Sequence, residues 1–377
     1  MSPSPRVAVV GTGVIGAMTA WHLARRGAEV LALDTYSPGH DRGASAGESR
    51  IFRTVYKEGA EYVPLLQRSG QLWRELEAAT GSALLTLCGG LTIGPADDPD
   101  VAAVRACAEE CGLDHEVLDA AEVGVRFPQH RLDTDEIAVL DPAAGVLRPE
   151  PAVQAALRAA EAAGARLLPY HPVDDVTETA GGWRIRSAER VYDVDHVVFA
   201  PGPWARRLAP LRESPVEARL ITACWFAARD VAAHRPNRLP IAIRRHREAG
   251  FSCFPALDGA AIKIVPHHLG WPVLDDPDHL PRTADVEFVR RASAAAERLL
   301  PGVVPHPVRI GTYVEGFTPD DHALLGPVPG CANATVLTGF SGHGFKLAPV
   351  FGELAAELVL TGTTSHDIDR LDPARFA

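Results

Sequence analysis

The sequence lacks the cysteine spacing of a disulfide-rich or zinc-binding protein, because its six cysteines include no CxxC pair. No run of His, Cys and carboxylate residues has the spacing of metal ligands either. We therefore expect reduced thiols and no bound metal. With 377 residues, of which 46% are hydrophobic, the chain is long enough to bury a large core in two domains or in one composite domain.

Long apolar runs and an excess of positive charge are also missing. No stretch reaches the length of a bilayer span, and the first apolar run, which begins at Val7, belongs to a folded motif rather than to a signal peptide. The net charge of −11, spread along the chain, disfavours nucleic acid or an anionic membrane as the main partner. We expect a cytoplasmic protein with no nucleic-acid or membrane partner.

The segment Val7–Gly16, VAVVGTGVIG, is the most informative pattern in the chain. Gly11, Gly13 and Gly16 fit G-x-G-x-x-G between a buried strand and a helix, where they permit a tight turn, approach to a pyrophosphate and close helix packing. The helix N-terminus then offers free N–H groups to phosphates. Asp34, which ends the next strand, is placed to bind an adenosine ribose hydroxyl. The motif predicts FAD or NAD; the alternative is an ordinary βαβ crossover.

The order of elements indicates a discontinuous nucleotide-binding domain. From about residue 216 to 317, short strands alternate with proline-rich loops, as in an antiparallel sheet, and a strand, a glycine-rich turn and a helix follow. We predict an α/β fold, α+β overall. Residues 1–85, 146–215 and 318–377 would form the cofactor-binding domain, and residues 86–145 and 216–317 the substrate domain. Such interleaving suits a flavoprotein better than an NAD dehydrogenase.

Two segments contain cations suited to chemistry. Arg50 and Arg53, in GESRIFRTVY, can bind a carboxylate through two parallel hydrogen bonds, although two surface arginines on a solvated turn would look the same. Lys263 lies in the apolar strand AAIKIV. It is either an exposed lysine at a sheet edge or a buried cation that stabilises the negative charge developing on O2.

Two further segments lie near the C-terminus. GFSGHGFK, at 339–346, is dense in glycine and precedes a helix that we predict from about Ala348 to Leu360. Its N–H groups and Lys346 can face an anionic ligand, or the segment is only a turn. TPDDHALLG, at 318–326, is a turn that carries little information by itself.

Together these segments resemble the FAD-dependent amine oxidases of the D-amino-acid-oxidase superfamily, and within it the sarcosine and N-methyltryptophan oxidases. The resemblance covers nearly the whole chain and is carried, in the family's order, by VAVVGTGVIG, GESRIFRTVYKEGAEYVPL, AIKIVPHH, TPDDHALLG and GFSGHGFK. It implies a glutathione-reductase-like Rossmann domain that binds FAD, interleaved with a substrate domain whose mixed, largely antiparallel sheet covers the flavin ring. It also implies hydride transfer from a C–H bond next to nitrogen to flavin N5, giving an imine, with reoxidation by O2 yielding H2O2.

The resemblance also implies roles for individual residues. Arg53 and Lys346 would hold the substrate carboxylate, and Arg50 would lie near the flavin. Lys263 would activate O2, and His267 would line the substrate pocket. The cofactor contacts that we expect are Gly11, Gly13, Val14, Ile15, Gly16, Asp34, Ser45, Arg50, Val173, Gly202, Trp204, Gly342, Gly344, Phe345 and Lys346.

The chain departs from the family pattern at three places. Tyr313 stands where the family carries the cysteine that tethers the flavin, and residues 254–330 contain no cysteine, so we predict non-covalent FAD. Ser45–Ala46 replace histidines of close relatives. Ser252, which we expect at the substrate pocket, replaces a tyrosine of the sarcosine enzymes. We therefore expect a reshaped pocket, for which sarcosine is not a safe assignment.

The sequence thus favours an FAD-dependent oxidase of a secondary amino acid, N-methyl or cyclic, or of a related carboxylate-bearing amine. The alternatives are an FAD-dependent dehydrogenase or biosynthetic tailoring enzyme that reacts poorly with O2, a flavin-binding protein without turnover, and an NAD-dependent dehydrogenase. The expected partners are a small-molecule amine and O2, and a monomer is the family's default.

Overall fold

The structure is a computed structural model that describes residues 4–376. Its α-helices are α1 (Val14–Ala24), α2 (Val63–Thr80), α3 (Pro99–Glu110), α4 (Ala120–Arg126), α5 (Pro149–Ala162), α6 (Val286–Leu299) and α7 (Gly344–Thr361). Its strands are β1 (Arg6–Val10), β2 (Glu29–Leu33), β3 (Arg50–Phe52), β4 (Leu85–Leu87), β5 (Gly90–Pro95), β6 (Glu116–Leu118), β7 (Glu136–Asp141), β8 (Gly145–Leu147), β9 (Arg166–Leu168), β10 (Val173–Thr179), β11 (Gly182–Ser187), β12 (Arg190–Val194), β13 (His196–Phe199), β14 (Glu217–Ala228), β15 (Ile241–Arg244), β16 (Phe251–Phe254), β17 (Ala261–Pro266), β18 (Val303–Phe317), β19 (Leu324–Pro327) and β20 (Ala334–Thr338).

The first large sheet has the strand order β19-β20-β13-β1-β2-β9. All neighbours pair in parallel except β19, which is antiparallel to β20. Parallel strands are covered on both faces, and accordingly β1 is a continuous apolar run whose residues Val7, Ala8 and Val9 are fully buried. Every residue of α1 is buried, since it packs against both α5 and α7. The carboxyl ends of β1, β2 and β13 meet at one edge, where dinucleotides bind in such sheets.

The second large sheet has the order β18-β14-β17-β16-β15-β5-β7-β6. It is antiparallel apart from the parallel pair β15–β5. Its own core includes Phe226, Phe251 and Leu299, the last from α6. The mixed α/β architecture predicted from the sequence is confirmed. We propose the predicted two domains as well, because the strands of the first sheet fall within residues 6–33, 166–199 and 324–338, and those of the second within 90–141 and 217–317.

Two elements differ from the expectation. Helix α7 begins at Gly344, four residues before the predicted start at Ala348, so the end of GFSGHGFK forms its first turn. Strand β18 runs for 15 residues through Pro305 and Pro307, a segment for which no strand was predicted. It lies at the edge of its sheet, where the missing N–H of proline does not interrupt a ladder on both sides.

Within residues 4–376, no helix has both the length and the apolar composition needed to cross a membrane. In the same part of the chain, His, Cys, Asp and Glu side chains do not gather in groups of three or more that could hold a metal ion. The six cysteines are free thiols.

Candidate functional site

Two adjoining cavities lie between the sheets. The larger, of about 470 Å³, opens at the carboxyl ends of β1, β2 and β13. The smaller, of about 150 Å³, lies against the second sheet and α7. Five residues line both cavities and are called here the shared wall: Ala44, Arg50, Glu315, Gly342 and Phe345.

Most of the expected cofactor contacts line the larger cavity. They are Gly11, Gly13, Val14, Ile15, Asp34, Ser45, Arg50, Val173, Gly202, Trp204, Gly342, Gly344 and Phe345. Gly16 does not line it, because this residue packs against the β1–α1 turn. Lys346 lines the smaller cavity instead.

The β1–α1 turn has the backbone geometry of a phosphate-binding loop. Gly11 has φ +93°, and a Cβ there would lie 2.4 Å from the Ala200 carbonyl oxygen. A Cβ on Gly16 would lie 1.8 Å from the Gly11 oxygen, so only glycine lets α1 start this close to the strand. The Ser45 hydroxyl accepts the Val14 N–H at 3.0 Å and fixes the helix start beside the cavity.

Asp34 presents a carboxylate at the end of β2. It accepts hydrogen bonds from Thr12 N at 2.6 Å, Thr12 Oγ1 at 3.0 Å and Tyr36 N at 2.9 Å, and His40 Nε2 lies 3.5 Å away. Burial alone would raise the pKa of Asp34, but the hydrogen bonds from His40, Tyr36 and Thr12 outweigh it and hold the pKa below its usual value. The group is ionised at neutral pH.

Lys263 is buried in β17 and points at the β3 side of the smaller cavity. Its Nζ donates to the carbonyl oxygens of Gly47 at 2.9 Å and Ser49 at 2.5 Å, and it lies 4.1 Å from the centre of the Phe254 ring. Burial, together with the positive charge of Arg50, holds the pKa of Lys263 well below its usual value. The amino group is thus fixed in place, and its burial disfavours the charged form.

Lys346 lies in the first turn of α7. Its Nζ donates to His343 O at 3.0 Å and to Tyr56 Oη at 3.3 Å. Burial, and next the charge of Arg53, lower the pKa of Lys346 to about 7, while Glu58 opposes this shift. A cation that titrates near neutrality is therefore present in the wall of the smaller cavity.

Arg53 is buried but lines neither cavity. Its Nη2 lies 3.3 Å and 3.4 Å from the two carboxylate oxygens of Glu58, and its guanidinium lies over the ring of Tyr56 at 4.8 Å. Its Nε, also buried, has no hydrogen-bond partner among the described residues. The structure thus brings Arg53 close to Lys346 without directing it at the cavity.

His267 and Ser252 form a hydrogen-bonded pair in the wall of the smaller cavity, with Ser252 Oγ and His267 Nε2 at 2.8 Å. Burial lowers the pKa of His267 to about 3, and the charges of Arg245 and Lys57 add to the shift. The imidazole is neutral at physiological pH, so it acts here as a hydrogen-bonding group and not as a cation.

Arg50 and Glu315 place a guanidinium and a carboxyl group in the shared wall. The Arg50 guanidinium donates to Ser49 O at 2.8 Å and Ala44 O at 2.6 Å. Glu315 accepts the N–H of Gly342 at 2.9 Å. Burial raises the pKa of Glu315, although Arg50, the Gly342 N–H and Lys346 oppose the shift.

Tyr313 lines the smaller cavity and packs with Ala46, Ala223 and Trp225. Its ring stands against Gly47, where a Cβ would lie 3.0 Å from Tyr313 Cζ. Its phenol ring forms part of the cavity wall.

Sequence reasoning assigned no role to Glu315, Tyr56 and Glu58. Tyr56 and Glu58 lie within the segment GESRIFRTVYKEGAEYVPL, but only its arginines were singled out. For Glu315 one signal was available, because it lies two residues after Tyr313 in an extended segment and so shares its face.

The larger cavity fits FAD. The backbone of the β1–α1 turn and the N-terminus of α1 suit the pyrophosphate, and Asp34 suits a ribose hydroxyl. The N-terminus of α7 has no capping side chain and opens beside the shared wall, where it favours negative charge on a ring. A dinucleotide site that adjoins a second cavity lined by several cations is typical of a cofactor-dependent oxidoreductase.

Comparison with known proteins shows the family. The family of FAD dependent oxidoreductases named DAO matches residues 6–358, and the chain belongs to it. The chain is 37% identical over 380 residues to monomeric sarcosine oxidase from Streptomyces avermitilis, with 100% of this chain and 99% of the relative covered. It is 32% identical to N-methyl-L-tryptophan oxidase from Salmonella arizonae, with 98% of each chain covered.

The solved structure of NikD, described as an unusual amino acid oxidase essential for nikkomycin biosynthesis, matches with a TM-score of 0.87 and 26% identity. The match covers 99% of this chain and 98% of NikD. The resemblance drawn from the sequence is confirmed, and the protein is an FAD-dependent oxidoreductase. The NAD alternative is not supported.

Proposed function

We propose that the protein is an FAD-dependent oxidase of a secondary amino acid, N-methylated or cyclic, or of a related amine that carries a carboxylate. The observation that carries this proposal is the smaller cavity, which shares a wall with the cofactor cavity and is lined by Arg50, Lys263 and Lys346. The names of the sarcosine, N-methyltryptophan and NikD relatives support the substrate class. Bound in the larger cavity, FAD would accept two electrons from the C–H bond next to the substrate nitrogen and pass them to O2.

The chain's own residues would bind and orient the substrate. Lys346 would attract the carboxylate from the first turn of α7. Arg53 would assist only if its guanidinium leaves Glu58, since it lines neither cavity. Neutral His267, held by Ser252, would accept or donate one hydrogen bond in the same cavity. Apolar residues of the cavity, such as Phe254, Val265 and Trp271, would exclude water.

Lys263 would stabilise the negative charge that develops on O2. Its Nζ is held by two carbonyl oxygens and has no carboxylate partner among the described residues, so its charge is available to a small anion in the cavity.

We also propose that FAD is bound without a covalent bond. The resemblance puts Tyr313 at the position of the family's tethering cysteine, so no thiol is available there to form a thioether to the flavin. Affinity would come from the phosphate and ribose contacts. Acid precipitation of the yellow protein tests this: the flavin should remain in the supernatant, whereas yellow colour in the pellet would contradict the proposal.

The substrate class is tested by an anaerobic screen. N-methyl, cyclic and primary amino acids are mixed in turn with the purified protein, together with the matching amines that lack a carboxylate. We expect bleaching of the flavin absorbance by secondary amino acids and little by amines without the carboxylate. Equal bleaching by amines with and without a carboxylate would contradict the proposed binding mode.

One observation favours a second candidate, a dehydrogenase with slow O2 reactivity. Burial and Arg50 hold the pKa of Lys263 well below its usual value, and a neutral amine stabilises an anion less than an ammonium does. Anaerobic bleaching followed by slow return of the colour in air would favour this candidate.

We further propose a monomer that works in the cytoplasm. The name of the Streptomyces relative supports the monomer, and six free thiols suit a reducing compartment. Size-exclusion chromatography with light scattering tests the oligomeric state, and a dimeric mass would contradict it.

A further inference from the structure

One carboxyl group faces the cavity in which we place the substrate. Among the described residues that line the smaller cavity, Glu315 is the only acidic one, and it also lines the larger cavity. It therefore stands at the junction between the substrate and cofactor positions. The proposed function described above gives this group no task.

One of the two carboxyl oxygens of Glu315 has no hydrogen-bond partner among the described residues. Oε1 accepts the Gly342 N–H at 2.9 Å, and within residues 4–376 this is its one hydrogen bond. Oε2 remains for a ligand in the cavity. The bond to Gly342 fixes the direction of the group, since Gly342 belongs to the turn that leads into α7.

The charged and titratable groups around Glu315 come from several elements. Arg50 on β3 and Lys346 on α7 are the cations that act on it. Across the sheet, Arg219 of β14 is its register partner, but the Arg219 guanidinium binds Glu217 at 2.9 Å. On its own strand the nearest titratable group on the same face is Tyr313. A zwitterion placed here has its carboxylate attracted to Lys346 and its ammonium attracted to Glu315.

We propose that Glu315 binds the ammonium group of the substrate and accepts one of its protons. This inference rests on the proposed function and adds a catalytic residue to it. The step is a proton transfer without oxidation: a secondary ammonium and a carboxylate become a neutral secondary amine and a carboxylic acid. One N–H bond breaks and one O–H bond forms.

The chemistry of amine oxidation requires such a proton acceptor. Amino acids carry an ammonium group at neutral pH, and loss of electrons from the C–H bond needs the nitrogen lone pair that the proton occupies. A general base works best when its pKa lies near the working pH. Burial raises the pKa of Glu315 in that direction, toward the range in which it can both ionise and hold a proton.

Ligand pairs that differ only at the nitrogen test the inference. Sarcosine is compared with methoxyacetate, and L-proline with tetrahydrofuran-2-carboxylate, so that each ether keeps the shape and the carboxylate but lacks the ammonium. Dissociation constants of the amines come from the concentration dependence of the rate of anaerobic flavin reduction, and those of the ethers from competition. Glu315→Gln keeps the size of the side chain and removes its charge.

In the Glu315→Gln protein, we expect amine affinity to fall by about tenfold to a hundredfold, as for the loss of a charged hydrogen bond, while the ethers bind nearly as before. In the wild-type protein, amine affinity should fall relative to ether affinity as the pH drops through the pKa of Glu315, because the carboxylate becomes neutral. This difference should vanish in the variant.

Glu150→Gln is the matched control. Glu150 is a nearby carboxyl that accepts backbone N–H groups, from Gly47 at 2.7 Å and Glu48 at 3.2 Å, and lines neither cavity. It should leave the ratio of amine to ether affinity unchanged.

An equal loss of amine and ether affinity in Glu315→Gln would show that the carboxyl only supports the turn, and an unchanged ratio would equally overturn the inference. If no ligand of either pair, and no amino acid of the screen, binds to the wild-type protein, the proposed function itself fails.

Discussion

At the residue scale, Lys263 is subject to two opposing effects. Its two carbonyl partners fix the ammonium next to the cavity, but burial and Arg50 lower its pKa. We expect Lys263→Met to slow reoxidation of the bound flavin by O2 by on the order of a hundredfold, since one fixed charge is removed, while anaerobic reduction by the substrate changes little. Stopped-flow absorbance measures the two half-reactions separately.

The sign of the pH dependence follows from the same lysine. Protonated Lys263 is the active form, so reoxidation in the wild-type protein should slow as the pH rises through its lowered pKa. The methionine variant should show a flat profile. Equal slowing of both half-reactions would contradict the role in O2 activation.

Lys346 supplies the second prediction at this scale. Its pKa of about 7 means that the ammonium is present below neutral pH and is lost above it. Affinity for carboxylate ligands should therefore fall as the pH rises through about 7. Lys346→Met should weaken carboxylate binding by about tenfold or more and remove this dependence. Titration with a non-reactive carboxylate such as methoxyacetate measures both effects, and an unchanged affinity would exclude Lys346 from carboxylate binding.

At the element scale, the segment 270–282, between β17 and α6, is held beside the larger cavity. Asp278 lines this cavity and accepts a hydrogen bond from Trp204 Nε1 at 2.7 Å. Arg207 forms ion pairs with both Asp276 and Asp278. These contacts join the segment to the 3-10 helix Gly202–Arg207, which follows β13 of the first sheet. Since we propose FAD without a tether, we expect these contacts to help retain it.

Asp278→Ala should therefore increase the dissociation constant of FAD. The ion pair is half exposed and contributes little, so we expect an effect of at most about fivefold. Recovery of flavin fluorescence after dilution measures it. Glu287→Ala, which removes an exposed ion pair with Arg290 on α6, is the control. Equal FAD affinity in the two variants would show that the segment does not retain the cofactor.

The elements that sequence patterns predicted well are those with local signals. Gly11, Gly13 and Gly16 mark the β1–α1 turn, and apolar runs mark β1 and β2. Strand β18 was not predicted because Pro305 and Pro307 argue against a strand. Its position at a sheet edge makes the two prolines acceptable. Tertiary contacts also move the start of α7 to Gly344, which no capping side chain marks.

At the scale of the whole molecule, the site lies where two sheets meet, and each sheet is assembled from distant parts of the chain. The second sheet joins residues 90–141 to residues 217–317. The resemblance to the family, carried by the motifs, led to the prediction that the arginine, lysine and glycine segments serve one site. It could not predict that Arg53 turns to Glu58, or that Glu315 faces the cavity, because side-chain direction depends on packing between distant segments.

The central claim is that the two cavities are one site in which a carboxylate-bearing amine gives two electrons to bound FAD. An anaerobic titration of the purified protein with the most reactive secondary amino acid, followed by admission of O2, tests it most directly. The account predicts that one equivalent of amino acid bleaches one equivalent of bound FAD, and that O2 restores the colour with one equivalent of H2O2. A protein that contains FAD but is bleached by no carboxylate-bearing amine would contradict it.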